Sequence, residues 1–247
     1  MRALTGLLET AIGARRTRTS HAAVVGELGR DIVDGTLAPG SILPGDNELL
    51  SRFGVSRTVL REAMKTLAAK RLVEPRAKVG TRVLDSAAWN LFDADVLSWR
   101  MHAGVDEAFI NDLADIRTAL EPAAAQLAAA RATREDVVTL YGIVARMNDL
   151  EHTPESVARV DLEFHLEVAR ASRNPFMVSA GHVIEAALTL SFKLSSPARR
   201  REEMEELARN HLRIVQAIAD GDADGAAAAM RRVIDTGADR ARLTLRR

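Results

Sequence analysis

The sequence has no cysteine, which excludes disulfides and thiolate metal sites and leaves histidine and carboxylate as the available metal ligands. No apolar run approaches the roughly 18 to 20 residues that cross a bilayer, and the N-terminus lacks the continuous apolar stretch of a signal peptide. Neither a membrane partner nor export is expected, and the chain reads as cytoplasmic. Net charge is missing too: 34 basic side chains balance 34 acidic ones, whereas nucleic-acid-binding proteins usually carry an excess of Lys and Arg. The average conceals an asymmetry. The first 85 residues carry 14 basic and 9 acidic side chains, leaving 20 and 25 for the remainder, so the two parts have different electrostatic roles. A basic arm containing Arg15, Arg16 and Arg18 contributes to that balance without requiring specific binding.

What is present is enough hydrophobic material, 47% of 247 residues, for the core of one large domain or two ordinary ones. Residues 1–20 show weak periodicity and read as a loosely ordered arm. From His21 to Asp34, Val24, Val25, Leu28, Ile32 and Val33 fall at helical spacing, and Gly35 with Pro39-Gly40 stops the helix. A short strand over Ser41–Leu43 precedes a Pro44-Gly45 turn, after which Asp46 is a candidate N-cap for a helix running to Phe53. Gly54 ends that helix. Ser56 caps the next one, whose apolar face is Val59, Leu60, Ala63, Met64 and Leu67, with Arg57, Arg61 and Lys65 on a different face. Leu72–Pro75 and Thr81–Leu84 then read as strands flanking the basic turn 76–80. This order of elements is that of a winged helix-turn-helix, assigned to residues 21–85.

Residues 86–247 carry almost no strand signal. They are rich in Ala, Leu, Glu and Arg, with helical stripes broken at Gly104, Ala132-Thr133, Thr153-Pro154, Asn174-Pro175, Ser196-Pro197 and Gly221-Asp222, which implies about six or seven helices. The fold class is therefore mainly α: an N-terminal winged helix-turn-helix followed by an all-α bundle. No internal repeat is present, and the alanine run 226–229 suits close helix packing.

The segment Pro39-Gly40-Ser41-Ile42-Leu43-Pro44, continued by Glu48-Leu49 and Phe53-Gly54-Val55-Ser56-Arg57-Thr58-Val59-Leu60-Arg61-Glu62-Ala63, resembles the DNA-binding signature of the GntR family of regulators. Asp161-Leu162-Glu163-Phe164-His165, Asn174-Pro175-Phe176 and His211, in that order, resemble the FCD-type effector-binding and dimerisation domain of the FadR subfamily. Trp89-Asn90, Asp95-Val96-Leu97-Ser98-Trp99 and Ile116-Arg117-Thr118-Ala119-Leu120-Glu121-Pro122 are similar to the branch of that subfamily that contains galactonate-operon repressors. The resemblance implies a two-fold homodimer on a palindromic double-stranded operator and a small acidic effector, a sugar acid being preferred.

In a helix-turn-helix the second helix enters the major groove, and residues of its first turns reach base edges. Arg57 and Arg61 lie four apart on one helix face, and arginine donates bidentately to guanine O6 and N7, so these two are the candidates for sequence readout. Ser56, Thr58 and Lys65 are candidates for phosphate contacts, and Lys78 and Gly80 for an approach of the wing to backbone or minor groove. The family commonly has a small residue and then arginine on the preceding helix where this chain has Asn47, which puts one contact there in doubt. The plain alternative for both arginines is solvation of an exposed helix face.

Asp161 and His165, also four apart, project from one helix face and can grip a single ion with His211 from another helix. A carboxylate and two imidazoles suit zinc, nickel or manganese. The resembling subfamily usually supplies one more histidine where this chain has Val233. A helix-surface hydrogen bond is the alternative for the Asp161/His165 pair. Arg117, on a helix otherwise apolar through Leu113, Ile116 and Leu120, is a candidate clamp for an effector carboxylate, or one half of an interhelical salt bridge. The function expected is a ligand-responsive repressor of a sugar-acid or other small-carboxylate operon, with activation in place of repression as the alternative. A metal-dependent enzyme built on Asp161, His165 and His211 lacks an accompanying nucleophile or acid–base pair. A DNA binder indifferent to ligands would show no change of affinity with any acid.

Overall fold

The computed structural model describes residues 20–149 and 151–246; the expected arm over residues 1–20 lies outside them apart from Ser20. The described residues divide into two compact units, 20–105 and 106–246.

In the first unit, helix α1 (Ser20–Val33) buries Val24, Leu28 and Ile32, as its 3.6-residue stripe requires. Helix α2 (Asp46–Phe53) begins one residue earlier than expected: Gly45 is the N-cap, and Asp46 instead lies in the first turn, where its charge meets the positive end of the helix. Gly54, at φ 60°, provides the left-handed C-cap. Ser56 then caps helix α3 (Arg57–Ala69) by accepting from the Val59 N–H. Strands β1 (Val73–Arg76) and β2 (Gly80–Val83) pair antiparallel with Val73 opposite Val83, and Ile42 adds an isolated bridge to Arg82 where a short strand was expected. Helix α4 (Ala94–Ala103) belongs to this unit, so the compact units divide at Val105/Asp106 rather than at the 85/86 boundary read from the sequence. The physical reason is apolar packing. Val96 and Trp99 join the core of α1, α3 and the wing, and Trp99 lies so close to Gly29 that a Cβ there would be 2.3 Å from its ring.

A buried lysine ties the end of α3 to the start of α4. Lys70 Nζ reaches Asp93 Oδ1 at 2.7 Å and Asp95 Oδ2 at 2.8 Å, with the Trp99 ring 5.8 Å away, while its carbonyl accepts from Asn90. Burial pushes the ammonium down in pKa, but the two carboxylates outweigh it and hold it above the ordinary lysine value.

The second unit is helical throughout its described residues: α5 (Glu107–Arg131), α6 (Arg134–Met147), α7 (Pro154–Ala171), the short α8 (Pro175–Ser179), α9 (Gly181–Leu194), α10 (Arg201–Ala219) and α11 (Ala223–Leu245). The breaks fall where capping chemistry places them. Thr133 with Asp136, and Thr153 with Ser156, form reciprocal capping boxes, Asn174 caps α8, and Asp222 caps α11. Helices α5 and α11 share the most extensive contact, with the fully buried Ala125, Ala128 and Ala226 permitting close approach. Phe164, Ile214 and Met230 fill the centre of the same core. No described helix is long and apolar enough to cross a membrane.

Gly29→Ala forces Trp99 out of its seat and is expected to lower the stability of the first unit by about 1–3 kcal/mol, the usual cost of overpacking. Thermal unfolding followed by tryptophan emission should show a lower midpoint and altered Trp99 fluorescence; an unchanged midpoint would contradict the packing described.

Candidate functional site

The first site is the outer face of α3. Arg57 and Arg61 are both exposed, on a different face from the buried Leu60, Ala63 and Leu67. Arg57 is not free of the protein: its Nη2 donates to Asn47 Oδ1 at 3.4 Å, so Asn47 orients the arginine. Among the described residues Arg61 has only a loose pairing with Glu62, at 3.7 Å. Thr58 is exposed, and Lys65 is bound by Glu62 at 3.0 Å. Ser56 Oγ accepts the α3 cap hydrogen bond and keeps its own proton to donate. At the wing tip Lys78 (φ 63°) and Gly80 (φ 117°) are both in the left-handed region, which tightens the three-residue connection and leaves both residues exposed.

The second site is buried in the helical unit. The capping box and Pro154 at N1 set the start of α7, whose inward stripe Val157, Val160, Phe164 and Val168 carries Asp161 and His165 into the interior with it. His211 arrives from α10. Asp161 and His165 are 2% exposed and His211 0%, and one donor atom from each lies within 4.8 Å of the others. His211 Nε2 is 3.1 Å from Asp161 Oδ1, and His165 Nε2 is 3.7 Å from Asp161 Oδ2. Two donors each about 2.1 Å from one ion are about 3 Å apart at a right angle and about 3.4 Å apart in a tetrahedron, so the His211–Asp161 separation fits shared ligation and the His165–Asp161 separation is a few tenths of an ångström longer.

The tautomers agree with that reading. His211 Nδ1 is 2.8 Å from the Leu207 carbonyl, which only accepts, so Nδ1 carries the proton and Nε2 presents a lone pair. That Nε2 is buried with no hydrogen-bond partner of acceptable geometry, although a carboxylate is close by. A lone pair and a carboxylate oxygen facing each other call for a cation or a proton between them. The donor set of one oxygen and two nitrogens suits a borderline divalent ion such as zinc or nickel.

Glu121, to which the sequence reading gave no role, completes the cluster from α5. It is 2% exposed, is in direct contact with His165 Nδ1, and accepts from Arg117 one turn earlier. Arg117 Nη2 also donates to His165 Nε2 at 3.4 Å. Because a guanidinium only donates, His165 Nε2 is an acceptor and its ring proton faces Glu121, the carboxylate–histidine arrangement that orients metal-binding imidazoles. The salt bridge considered for Arg117 therefore exists, but within α5 rather than between helices. Burial raises the Glu121 carboxyl, yet the charge of Arg117 and the contact with His165 outweigh it and bring it to about 2. Burial likewise raises Asp161, but the adjacent His211 and the nearby His165 and Arg117 outweigh it and hold the carboxyl below the ordinary carboxylate range. The signal for Glu121 was its spacing from Arg117, an i,i+4 pair inside an otherwise apolar helix.

Three openings adjoin the cluster, one of them lined by Glu121 and His165 with Leu120, Met177, Ile184 and Met230. Arg117 lines a largely apolar pocket, partly open to solvent, with Leu113, Ala187, Leu190 and Ile234. His211 and Val233 line a third with Glu203, Glu206, Asn210 and Arg240, so the residue standing in place of a further histidine is a wall beside His211.

An exposed recognition helix beside a wing, together with a helical unit that holds a buried polar cluster, defines a winged-helix transcriptional regulator. The chain belongs to the GntR family: the model of the bacterial regulatory proteins, gntR family, matches residues 21–83, and that of the FCD domain matches residues 112–236. The HTH-type transcriptional regulator YieP of Escherichia coli is 36% identical over 203 residues, covering 81% of this chain and 86% of that protein. The galactonate operon transcriptional repressor of Escherichia coli is 30% identical over 203 residues, covering 82% and 88%. Among solved structures, Lar, described as controlling the Listeria monocytogenes agr system, is similar in fold with a TM-score of 0.58 at 21% identity, over 92% of this chain and 98% of that one. These relatives are transcriptional regulators and not enzymes, and the chain is a DNA-binding regulator of their kind.

Glu121→Leu leaves Arg117 buried and unpaired and is expected to cost about 3–5 kcal/mol, whereas Glu121→Leu combined with Arg117→Met removes both charges and recovers most of that loss. Thermal denaturation of the three proteins checks this; a double variant no more stable than the single would show that the pair is not a self-contained charge unit.

Proposed function

We propose that this protein represses an operon for the breakdown of a sugar acid or a similar small carboxylate, and that the acid, bound in the helical unit, lowers its affinity for the operator. The observation that carries this reading is the buried cluster. Asp161, His165 and His211 converge with their lone pairs facing one another, and Arg117, a carboxylate-binding group, lies against His165 at the edge of a cavity. The similarity to a galactonate operon repressor supports a sugar acid as effector.

In this reading two copies of the chain bind a palindromic operator, one winged helix per half-site. Arg57 and Arg61 read guanine edges in the major groove, with Asn47 accepting from Arg57. Ser56, Thr58 and Lys65 fix the helix on phosphates, while Lys78 and Gly80 bring the wing to the backbone. In the helical unit Asp161, His165 and His211 would hold a divalent ion, which would offer an oxygen of the acid a Lewis-acid anchor. Arg117 pairs with the acid's carboxylate, Glu121 fixes the His165 tautomer, and Val233 leaves a coordination position for water or the acid. For release to follow, the acid must bind the low-affinity conformation of the dimer more tightly than the DNA-bound one.

The test is binding of the purified chain to its own upstream intergenic DNA, titrated with a panel of sugar acids and other small carboxylates, with and without chelator. One acid should release the DNA. Arg57→Ala and Arg61→Ala should each reduce discrimination between operator and random DNA by roughly 1–3 kcal/mol, while Lys65→Ala should weaken both alike and flatten the salt dependence. Discrimination unchanged in both arginine variants, or DNA binding that no acid alters, would overturn the corresponding part of the proposal.

A further inference from the structure

Helix α1 begins on the flank of the recognition helix. In α3, Thr58, Glu62 and Thr66 form a row four residues apart, beside the row Arg57, Arg61 and Lys65 that carries the DNA-reading cations. His21, the second residue of α1, has its Nε2 3.0 Å from Thr66 Oγ1. Lys65, and after it Arg61 and His21, hold the exposed Glu62 carboxyl below its ordinary value, so His21 lies near this same stretch of α3. Ser20, which opens the helix, is exposed. Farther along α1, Gly29 meets Trp99, so the helix leads from the flank of α3 to α4.

The residues joined to this exposed start carry a concentrated charge. Gly13-Ala14-Arg15-Arg16-Thr17-Arg18-Thr19 has three arginines and no carboxylate. The seven lie outside the described residues, but peptide geometry sets their reach. At roughly 3.3 Å per residue, the backbone of Arg18 comes within about 7 Å of Ser20 and that of Arg15 within about 17 Å. Thr66 is five residues along α3 from Arg61, about 7.5 Å at a rise of about 1.5 Å per residue. The major groove that a recognition helix enters is about 12 Å wide. The arginines can therefore pass the phosphates at its edge and reach the minor groove beside it.

Duplex DNA is also the strongest counter-charge within that reach. It carries one negative charge per about 1.7 Å of axis, whereas the 25 acidic side chains of residues 86–247 are largely offset by 20 basic ones. A narrow, A·T-rich minor groove concentrates the negative potential and accepts inserted arginines, and N-terminal arms of other DNA-binding domains use it in this way.

We propose that residues 13–19 form a DNA-binding arm whose Arg15, Arg16 and Arg18 enter the minor groove flanking each half-site, so that each chain reads its operator with α3 in the major groove and with the arm in an A·T-rich flank. This rests on the operator reading given above and is independent of the metal and effector readings. It differs from a basic tail in solution, which would raise affinity for every duplex alike.

Because the chain has no cysteine, Thr19→Cys in the full-length protein gives a single thiol for a tethered iron–EDTA probe. On the chain's own upstream intergenic DNA, the probe should cut both strands just outside the half-sites that the unlabelled parent protects. Two synthetic duplexes then keep those half-sites and differ only in their flanks, all A·T or all G·C. The parent should bind the A·T duplex about threefold or more tightly than the other, a preference that the combined variant Arg15→Ala, Arg16→Ala, Arg18→Ala should lose. The same variant should bind the A·T duplex about tenfold or more weakly than the parent, with a salt dependence flatter by about 2 to 5 in the log–log slope for two arms. Cuts confined to the half-sites, or cleavage of the helical unit in place of DNA, would overturn the placement of the arm. A variant equal to the parent on both duplexes would overturn the arm itself, and an equal loss on both would overturn the minor-groove assignment. Absence of any protected half-site with the parent would overturn the operator reading along with this inference.

Discussion

Two carboxylates, a guanidinium and two imidazoles are buried together between α5, α7 and α10, and the rest of the helical unit is arranged around that fact. Charges taken out of water cost several kcal/mol each unless they are paired and hydrogen-bonded. Here the pairing is nearly complete: Arg117 with Glu121, Glu121 with His165, and His211 with the Leu207 carbonyl. The atoms left without a hydrogen bond of acceptable geometry are His211 Nε2 and His165 Nδ1, each set against a carboxylate. Because Glu121 of α5 meets His165 of α7, those two helices cannot slide past each other without breaking a buried polar contact. Phe164 packs edge-on against both imidazoles and closes the apolar side of the cluster. A cluster of this kind has alternative ways of satisfying its members, which is the property a ligand-sensitive element needs.

The DNA-reading unit is built on the opposite economy, with its charges at the surface. Its core is an ordinary apolar one, and a buried ammonium, Lys70, joins the last turn of α3 to Asp93, the N-cap of α4. The recognition helix is thus held at its C-terminal end while its first turns, with Arg57 and Arg61, stay in water. The connection from wing to α4 is part of the packed unit through Val96 and Trp99, not a loose linker.

The elements and their breaks were legible because they depend on local chemistry. Ser56, Thr133, Thr153, Asn174 and Asp222 all begin elements as N-caps, and Gly54 and Gly104 end them. The convergence of Asp161 with His165 followed from helical spacing, while the placement of His211 beside them came from family resemblance. Less legible was whatever depended on packing between distant segments. The assignment of α4 to the first unit rests on Trp99 meeting Gly29, seventy residues away, and no periodicity encodes that. Glu121 carried a signal in its spacing from Arg117, but its contact with His165 is tertiary. Asn47 looked like a lost contact in the sequence; in the fold its proximity to Arg57 makes it a support for the arginine.

The central claim is that the buried cluster is a ligand site and not a structural salt-bridge network. Titration of the metal-free chain with Co²⁺, followed by its visible absorption spectrum, tests this most directly, because the spectrum reports nitrogen and oxygen ligation of the ion itself. The account predicts one ion per chain with bands distinct from those of aqueous cobalt, lost in both Asp161→Asn and His211→Gln. A spectrum identical to the aqueous ion, or one that persists in both variants, would contradict it.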